Sequence, residues 1–105
     1  MTESAMLIEA GPQKSTKVYK TEEIDGIFQC WFFCPGCKNS HAFTMPRWSW
    51  NGSLEAPSFQ PSLMCNRGME SQCHCIVTDG FINYCADSWH SLRGTTVPMP
   101  DWEGW

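Results

Sequence analysis

The stretch Cys34-Pro35-Gly36-Cys37 decides the fold, because two thiolates across a Pro-Gly turn can bind one metal ion from the same side. The glycine relieves the backbone at the bend, so the turn supplies two of the four ligands that zinc prefers in tetrahedral array. The chain has no second C-x-x-C motif. The sequence therefore predicts one structural zinc ion whose other ligands come from far downstream.

Cys73 and His90 are the predicted third and fourth ligands. The register of a later hairpin turns Cys73 toward the more apolar face, beside the residues that lead to His90. His74 remains an alternative to Cys73 if the opposite face of that hairpin looks at the turn. Asp87 is expected to accept the second ring N–H of His90, and His41 is a further candidate for such an outer contact or for ligation.

The length and the cysteine count place the chain among small domains that need a stabilising link. A single apolar core in a chain of 105 residues contributes only a few kcal/mol. We expect a cytoplasmic protein of a bacterial cell, since no signal-like segment and no stretch of membrane-spanning length is seen. Seven cysteines in a reducing compartment favour thiolate ligands over disulfides. The thiols outside the metal site are expected to fill the core, and they are Cys30, Cys65, Cys75 and Cys85.

The residues around the C-x-x-C turn read as strands. The β-forming run 27–33 leads directly into the turn, and residues 41–45 read as the returning strand. Downstream, Asp79-Gly80 predicts a two-residue hairpin turn between strands at 73–78 and 81–86. No segment has a sustained helical period. The predicted fold class is all-β, a small zinc-ribbon-like domain built of β-hairpins.

The segment between these hairpins is harder to assign. Asn51-Gly52 after an alternating Trp48 and Trp50 predicts another two-residue hairpin turn. Pro57 and Pro61 each remove a donor from a ladder, which predicts a loop that ends in an edge strand. The domain division that follows is an N-terminal arm or edge strand at 1–22, the β domain at 23–97, and an extended tail rich in Pro and Trp at 98–105.

Charge and aromatic content give expectations about partners. A net charge of −4 argues against nucleic acid, whose binding depends on clustered Lys and Arg. Six tryptophans exceed what a small core can bury, so some are expected at a protein interface. The oligomeric state is not indicated. The candidate partner-binding residues are Trp48, Trp50, Trp102 and Trp105.

Several short motifs in order carry a family resemblance over residues 28–101. They are CPGC, W-x-W-N-G, P-S-F-x-P-S-L, C-H-x-x-V-x-D-G-x-I and D-x-x-H-x-L-x-G-x-T-V-P-x-P. Together they resemble a family of small phage and prophage proteins of unknown function, often labelled "ammonia monooxygenase". That label does not fit a chain with no spanning segment. The resemblance implies a phage-encoded, metal-stabilised protein acting inside a bacterium, and among the positions it picks out are Cys34, Cys37, Ser62, Cys73, His74, Asp87 and His90.

The leading functional expectation is a zinc-stabilised binding protein without catalytic residues. It is expected to act on a protein partner of the host or the phage, in host defence or in the phage's own machinery. It depends on the acidic charge, the surplus tryptophans and the lack of a recognisable nucleophile beside a base. One alternative is a zinc-dependent hydrolase with an open metal position and His74 or Asp87 as general base. A second alternative is a nucleic-acid-binding zinc ribbon.

Overall fold

The computed structural model describes residues 11–105, so the first ten residues of the predicted arm lie outside the described part. The described residues form two antiparallel sheets and no helix, which confirms the all-β class. The strand orders are β1-β2-β3-β4 and β5-β6-β7-β8-β9. The strands are β1 (Gln13–Lys14), β2 (Tyr19–Lys20), β3 (Phe28–Cys34), β4 (Asn39–Met45), β5 (Ser49–Trp50), β6 (Phe59–Cys65), β7 (Cys73–Thr78), β8 (Phe81–Tyr84) and β9 (Thr96–Pro98).

The hairpin of β3 and β4 positions the C-x-x-C turn at one end of the first sheet. Alternate residues of both strands are buried, as expected for a sheet with one face in the core. The backbone N–H of Lys38 donates to the carbonyl of Cys34 at 2.8 Å and closes the turn. Strands β1 and β2 extend this sheet from the predicted arm, with β2 paired to β3.

The second sheet is organised by the hairpin of β7 and β8. Asp79 and Gly80 have φ values of 50° and 82°, as a two-residue type I′ turn requires. Val77 lies opposite Ile82, which confirms the predicted register. Cys73 is 1% exposed, so it faces the core as that register predicts. Strand β9 pairs with β8 at the edge of this sheet, and the predicted tail begins at its final residue, Pro98.

The prediction of a two-residue hairpin at Asn51-Gly52 is wrong. Trp50 pairs with Phe59, so residues 51–58 form the connection, and only Gly52 of the two turn residues has a positive φ. The Asn51 side chain explains the difference, because its oxygen accepts backbone N–H bonds from Ser53 and Ser58, both at 3.1 Å. This side chain organises a longer loop in place of a tight turn.

The prediction of an edge strand after Pro57 and Pro61 is also wrong. Strand β6 lies inside the second sheet, between β5 and β7. Its pairing with β7 is irregular around Pro61, where three residues of β6 face a single residue of β7. A bulge of this kind tolerates a missing backbone donor inside a sheet. The paired residues on either side of the irregularity are Phe59 with Val77 and Leu63 with Cys75.

Aromatic stacking joins the two sheets. Phe43 of β4 and Phe59 of β6 are buried, and their rings stack at 4.1 Å with an interplanar angle of 8°. The four tryptophans proposed for partner binding all contact aromatic rings of their own chain. Their closest described ring partners are Phe43 for Trp48, Phe28 for Trp50, Phe33 for Trp102 and Tyr19 for Trp105. No helix in the described region is long and apolar enough to span a bilayer.

Truncation of the stacked ring should destabilise the protein strongly. We expect Phe43→Ala to lower the free energy of unfolding by about 3–5 kcal/mol, because it removes a fully buried ring and leaves a cavity between the sheets. Phe81→Ala is the matched control, since Phe81 is 50% exposed, and it should cost about 1 kcal/mol or less. Denaturant unfolding of both variants checks this, and equal losses would contradict the assignment of the core.

Candidate functional site

Cys34, Cys37, Cys73 and His90 form a group that could hold a metal ion. One ligand atom from each residue lies within 4.8 Å of the others, and the Cys73 Sγ is 3.4 Å from the His90 Nε2. Four ligands around a tetrahedral zinc lie roughly 3 to 4 Å from one another, so the spacing suits such an ion. Cys34 and Cys37 belong to the turn at the end of β3 in the first sheet, Cys73 begins β7 of the second sheet, and His90 lies in the loop between β8 and β9. The group therefore joins the sheets at one end of the molecule.

Polar hydrogens surround the sulfur atoms of this group. The backbone N–H of Cys37 donates to the Cys34 Sγ at 3.3 Å, and the Tyr84 hydroxyl lies 3.0 Å from the same sulfur. The indole N–H of Trp89 donates to the Cys37 Sγ at 3.3 Å. Donors of this kind stabilise thiolates and orient metal ligands.

Gly36 is required by the close approach of His90. A Cβ at this position would overlap the imidazole ring of His90. Any larger residue in the turn would push that ring away from the three cysteines. The glycine thus serves the contact with the histidine as well as the bend of the backbone.

Without a cation, burial favours the uncharged forms of these groups. A hydrogen bond with Cys73, followed by burial, raises the pKa of Cys34 to about 11. Burial, with smaller effects of His41 and Arg93, lowers the pKa of His90 and so favours its neutral ring. A bound divalent cation favours the thiolate and the neutral imidazole. The chemistry of the donor set therefore fits zinc.

The other predicted metal residues lie outside the group of four. His41 is buried on β4, and its ring interacts with the thiols of Cys34 and Cys37, while its Nε2 has no hydrogen-bond partner within the described part of the chain. Asp87 contacts the ring of His74 and not that of His90. The described cysteines form no disulfide. Cys85 lies near His74 and Asp87, with one ligand atom of each within 4.8 Å.

A second arrangement brings together Ser62, His74 and Asp87. The Ser62 Oγ lies 3.0 Å from the His74 Nε2. The other ring nitrogen, Nδ1, lies 3.1 and 3.3 Å from the two carboxylate oxygens of Asp87. The imidazole is thus placed between a hydroxyl and a carboxylate, with one nitrogen for each.

Strand alternation explains why these side chains meet. In β7, Cys73 and Cys75 face the core, so His74 between them faces outward. In β6, Leu63 faces the core, so Ser62 before it also faces outward. Adjacent strands therefore present the serine and the histidine on the same outer face of the sheet.

Surrounding hydrogen bonds fix this arrangement. The Ser88 Oγ accepts from the backbone N–H of His74 at 3.0 Å and donates to the carbonyl of the same residue at 2.9 Å. The side-chain amide of Gln72 donates to Asp87, at 3.0 Å to its carbonyl and 3.3 Å to its carboxylate. The indole N–H of Trp48 donates to the Ser62 carbonyl at 3.2 Å. All three groups of the arrangement are held by their neighbours.

The arrangement is open to solvent, unlike the metal group, in which three of the four residues are buried. The side chains of His74 and Asp87 are 25% and 48% exposed. Ser62 lines two surface depressions, of about 370 and 590 Å³. A large substrate can reach the serine from outside.

Such a geometry is that of an activated nucleophile. The serine hydroxyl can donate to Nε2 of the histidine, while the carboxylate fixes the proton on Nδ1 and stabilises the cationic ring. The structure therefore brings together a hydroxyl and a histidine that the sequence analysis did not pair. The outward position of His74 in the predicted hairpin was a usable signal, but Ser62 fell in a segment read as loop and edge strand.

Comparison with known proteins identifies the family. A family model described as bacterial ubiquitination-like system serine protease (BubE) matches residues 7–85 of the 105. The match contains Ser62 and His74, and Asp87 follows just after its end. No curated protein and no solved structure matches the chain.

The family match overturns the main functional expectation. A non-catalytic, phage-encoded zinc protein that only binds a partner conflicts with a family of serine proteases. The resemblance to phage proteins and their "ammonia monooxygenase" label receives no support either, whereas the hydrolase alternative agrees better. With most of its length covered by the match, the chain belongs to the BubE family of serine proteases of bacterial ubiquitination-like systems.

Proposed function

We propose that this protein is a serine protease in which Ser62 is the nucleophile, His74 the general base and acid, and Asp87 the group that orients the histidine. One observation carries the proposal: the imidazole of His74 bridges the Ser62 hydroxyl and the Asp87 carboxylate at 3.0 and 3.1 Å. The family match over residues 7–85 supports the same reaction class.

The reaction proceeds by acyl transfer through the serine. The Ser62 Oγ attacks the scissile carbonyl carbon while its proton passes to the His74 Nε2. The Asp87 carboxylate stabilises the imidazolium that forms. The histidine then gives the proton to the leaving group, and the bond to the carbonyl carbon breaks. A water molecule, deprotonated by the same nitrogen, then attacks the acyl carbon. The bond from that carbon to the Ser62 Oγ breaks, the proton on Nε2 returns to Oγ, and the acid is released.

The substrate we propose is the ubiquitin-like protein of the same system, cut at a bond in its precursor or in its conjugates. The family's place in a ubiquitination-like system supports this choice. So does the site itself, because Ser62 lies on an open sheet face between two depressions. A flexible segment of a protein can lie across such a face, whereas a small molecule would be poorly enclosed.

We further propose that one structural zinc ion is bound by Cys34, Cys37, Cys73 and His90. Four protein donors complete the tetrahedral shell that zinc prefers and leave no position for a catalytic water. Hydrolysis is therefore assigned to Ser62 and not to the metal. When bound, the ion supplies folding free energy and fixes the positions of its ligands.

Residues of the metal group and of the proposed triad are close neighbours in two short segments of the chain. Cys73 directly precedes His74 in β7, and Asp87 and His90 belong to one short loop after β8. A cation that fixes Cys73 and His90 would therefore also fix the histidine and the carboxylate of the triad. Metal loss should impair catalysis through geometry alone.

Removal of the serine hydroxyl should abolish activity without unfolding the protein. We expect Ser62→Ala to lower hydrolysis of the ubiquitin-like substrate by at least about 1000-fold. The same variant should lose labelling by a fluorophosphonate probe, detected by intact mass. Ser71→Ala is the matched control, because Ser71 lies in the loop before β7 and outside the triad. A Ser62→Ala variant that keeps wild-type activity would refute the assignment.

Removal of the metal should unfold the protein or nearly so. We expect about one zinc per chain by elemental analysis, and we expect Cys34→Ser or a strong chelator to abolish the cooperative thermal transition, since structural zinc contributes directly to folding. Cys65→Ser is the control, because this half-buried thiol is outside the group of four, and it should cost about 1 kcal/mol. A metal-free protein that stays folded and active in chelator would overturn the zinc assignment.

A further inference from the structure

We propose that Arg47 and Arg67 form a carboxylate-binding subsite beside the nucleophile, so that the protease prefers a substrate with an acidic group next to the scissile bond. The inference rests on the proposed function, because it assigns a specificity to the site around Ser62. The carboxylate can belong to an Asp or Glu side chain or to a free C-terminus.

The position of the two arginines is the first observation. They lie in the smaller of the two depressions at Ser62, which has a volume of about 370 Å³. Two of the three arginines of the chain are thus found at the surface next to the serine. The lining residues are Arg47, Trp48, Pro61, Ser62, Met64 and Arg67.

The charge of both arginines is available to a ligand. The ion pairs in the described part of the chain are Lys17 with Asp101 and His74 with Asp87, so neither arginine is neutralised by a described carboxylate. Both side chains belong to exposed residues. In a chain with a net charge of −4, two unpaired guanidinium groups in one depression are a local exception.

The geometry of the guanidinium group favours a carboxylate. Arginine presents parallel N–H donors that match the two oxygens of a carboxylate, and such charge-assisted pairs are stronger than neutral hydrogen bonds. The guanidinium of Arg47 lies over the Trp48 ring, 5.1 Å from its centroid, which restricts its position. The apolar lining supplied by Trp48, Pro61 and Met64 can contact the aliphatic part of an acidic residue.

The second depression carries less positive charge than the first, so an acidic residue should be preferred on one flank of the scissile bond. It has a volume of about 590 Å³ and shares Arg47, Pro61 and Ser62 with the first, but its other lining residues are uncharged. They are Pro46, Ser49, Phe59, Gln60 and Ile76. A chain that crosses Ser62 places one flank of its scissile bond against two arginines and the other flank against a surface whose only charged lining residue is Arg47.

Protection of Ser62 from a fluorophosphonate probe tests this subsite without requiring turnover. Competing peptides are made in Glu and Gln pairs at each position around a central Gly-Gly, and each pair is made with a free C-terminus and with a C-terminal amide. We expect the charged member to protect Ser62 at a concentration roughly 10-fold lower than its neutral partner, at positions on one flank only. The Glu pairs and the C-terminal pairs distinguish the two sources of carboxylate.

Arginine variants show whether the discrimination belongs to this subsite. The ratio of protecting concentrations should fall to about 1 in the Arg47→Gln/Arg67→Gln variant, and a ratio cancels general losses of reactivity. Arg67→Glu should favour Lys over Glu at the same position, which keeps the test informative if the double variant is unstable. Lys14→Gln, which removes one exposed positive charge from the other sheet, should keep the wild-type ratio.

Failure of the inference and failure of the proposed function give different results. If the wild type labels at Ser62 but Glu and Gln peptides protect equally, or the arginine variants keep the wild-type ratio, the subsite is refuted and the serine protease proposal stands. If Ser62 is not labelled by the probe at all, the proposed function fails and the subsite with it.

Discussion

Cys34 and Cys37 in the turn of one sheet face Cys73 of the other sheet and His90 of its β8–β9 loop across a space that one cation can span. Three thiols and an imidazole at this distance are unfavourable neighbours once the thiols ionise, because like charges would be buried together. A bound divalent cation reverses that balance and converts repulsion into attraction. The stacked rings of Phe43 and Phe59 join the same two sheets through apolar contact. The cluster of three cysteines and a histidine differs from this stack in that it would fix two specific positions next to the second sheet's outer face, Cys73 in β7 and His90 in the loop after β8.

The alternation of β7 connects the cysteine and histidine cluster to the outer face that carries the proposed triad. Since Cys73 points into the core, its neighbour His74 must point outward, and a register shift of one residue would exchange the two. A register that turns Cys73 away from the core would therefore also turn His74 away from the outer face. The loop after β8 adds a second such connection, because Asp87 and His90 are three residues apart within it. Stability and catalytic geometry thus depend on the same short segments, although the metal takes no part in the proposed reaction.

Local signals in the sequence were enough for the hairpins at Cys34-Cys37 and at Asp79-Gly80, but not for the connection at Asn51-Gly52 or for the proposed triad. The Asp79-Gly80 turn fixes its own register, so the inward position of Cys73 follows from neighbouring residues alone. Ser62 is different, because its position depends on β6 lying beside β7 and on a bulge that accepts Pro61 inside a sheet. Proline at this position argues locally for a loop or an edge. Only the long-range pairing of β6 places the serine beside His74.

The proposed triad is exposed to water, so a bound substrate would change the environment of its hydrogen bonds. A hydrogen bond between an imidazole and a carboxylate competes with water when the carboxylate is 48% exposed, so the pairing of His74 with Asp87 depends on Gln72 and Ser88 for its geometry and not on burial. A protein segment lying over the outer face would displace that water and lower the local dielectric constant. The hydrogen bonds of the triad would then strengthen at the moment the scissile bond is in place. A substrate that binds along the two depressions would in this way also activate Ser62.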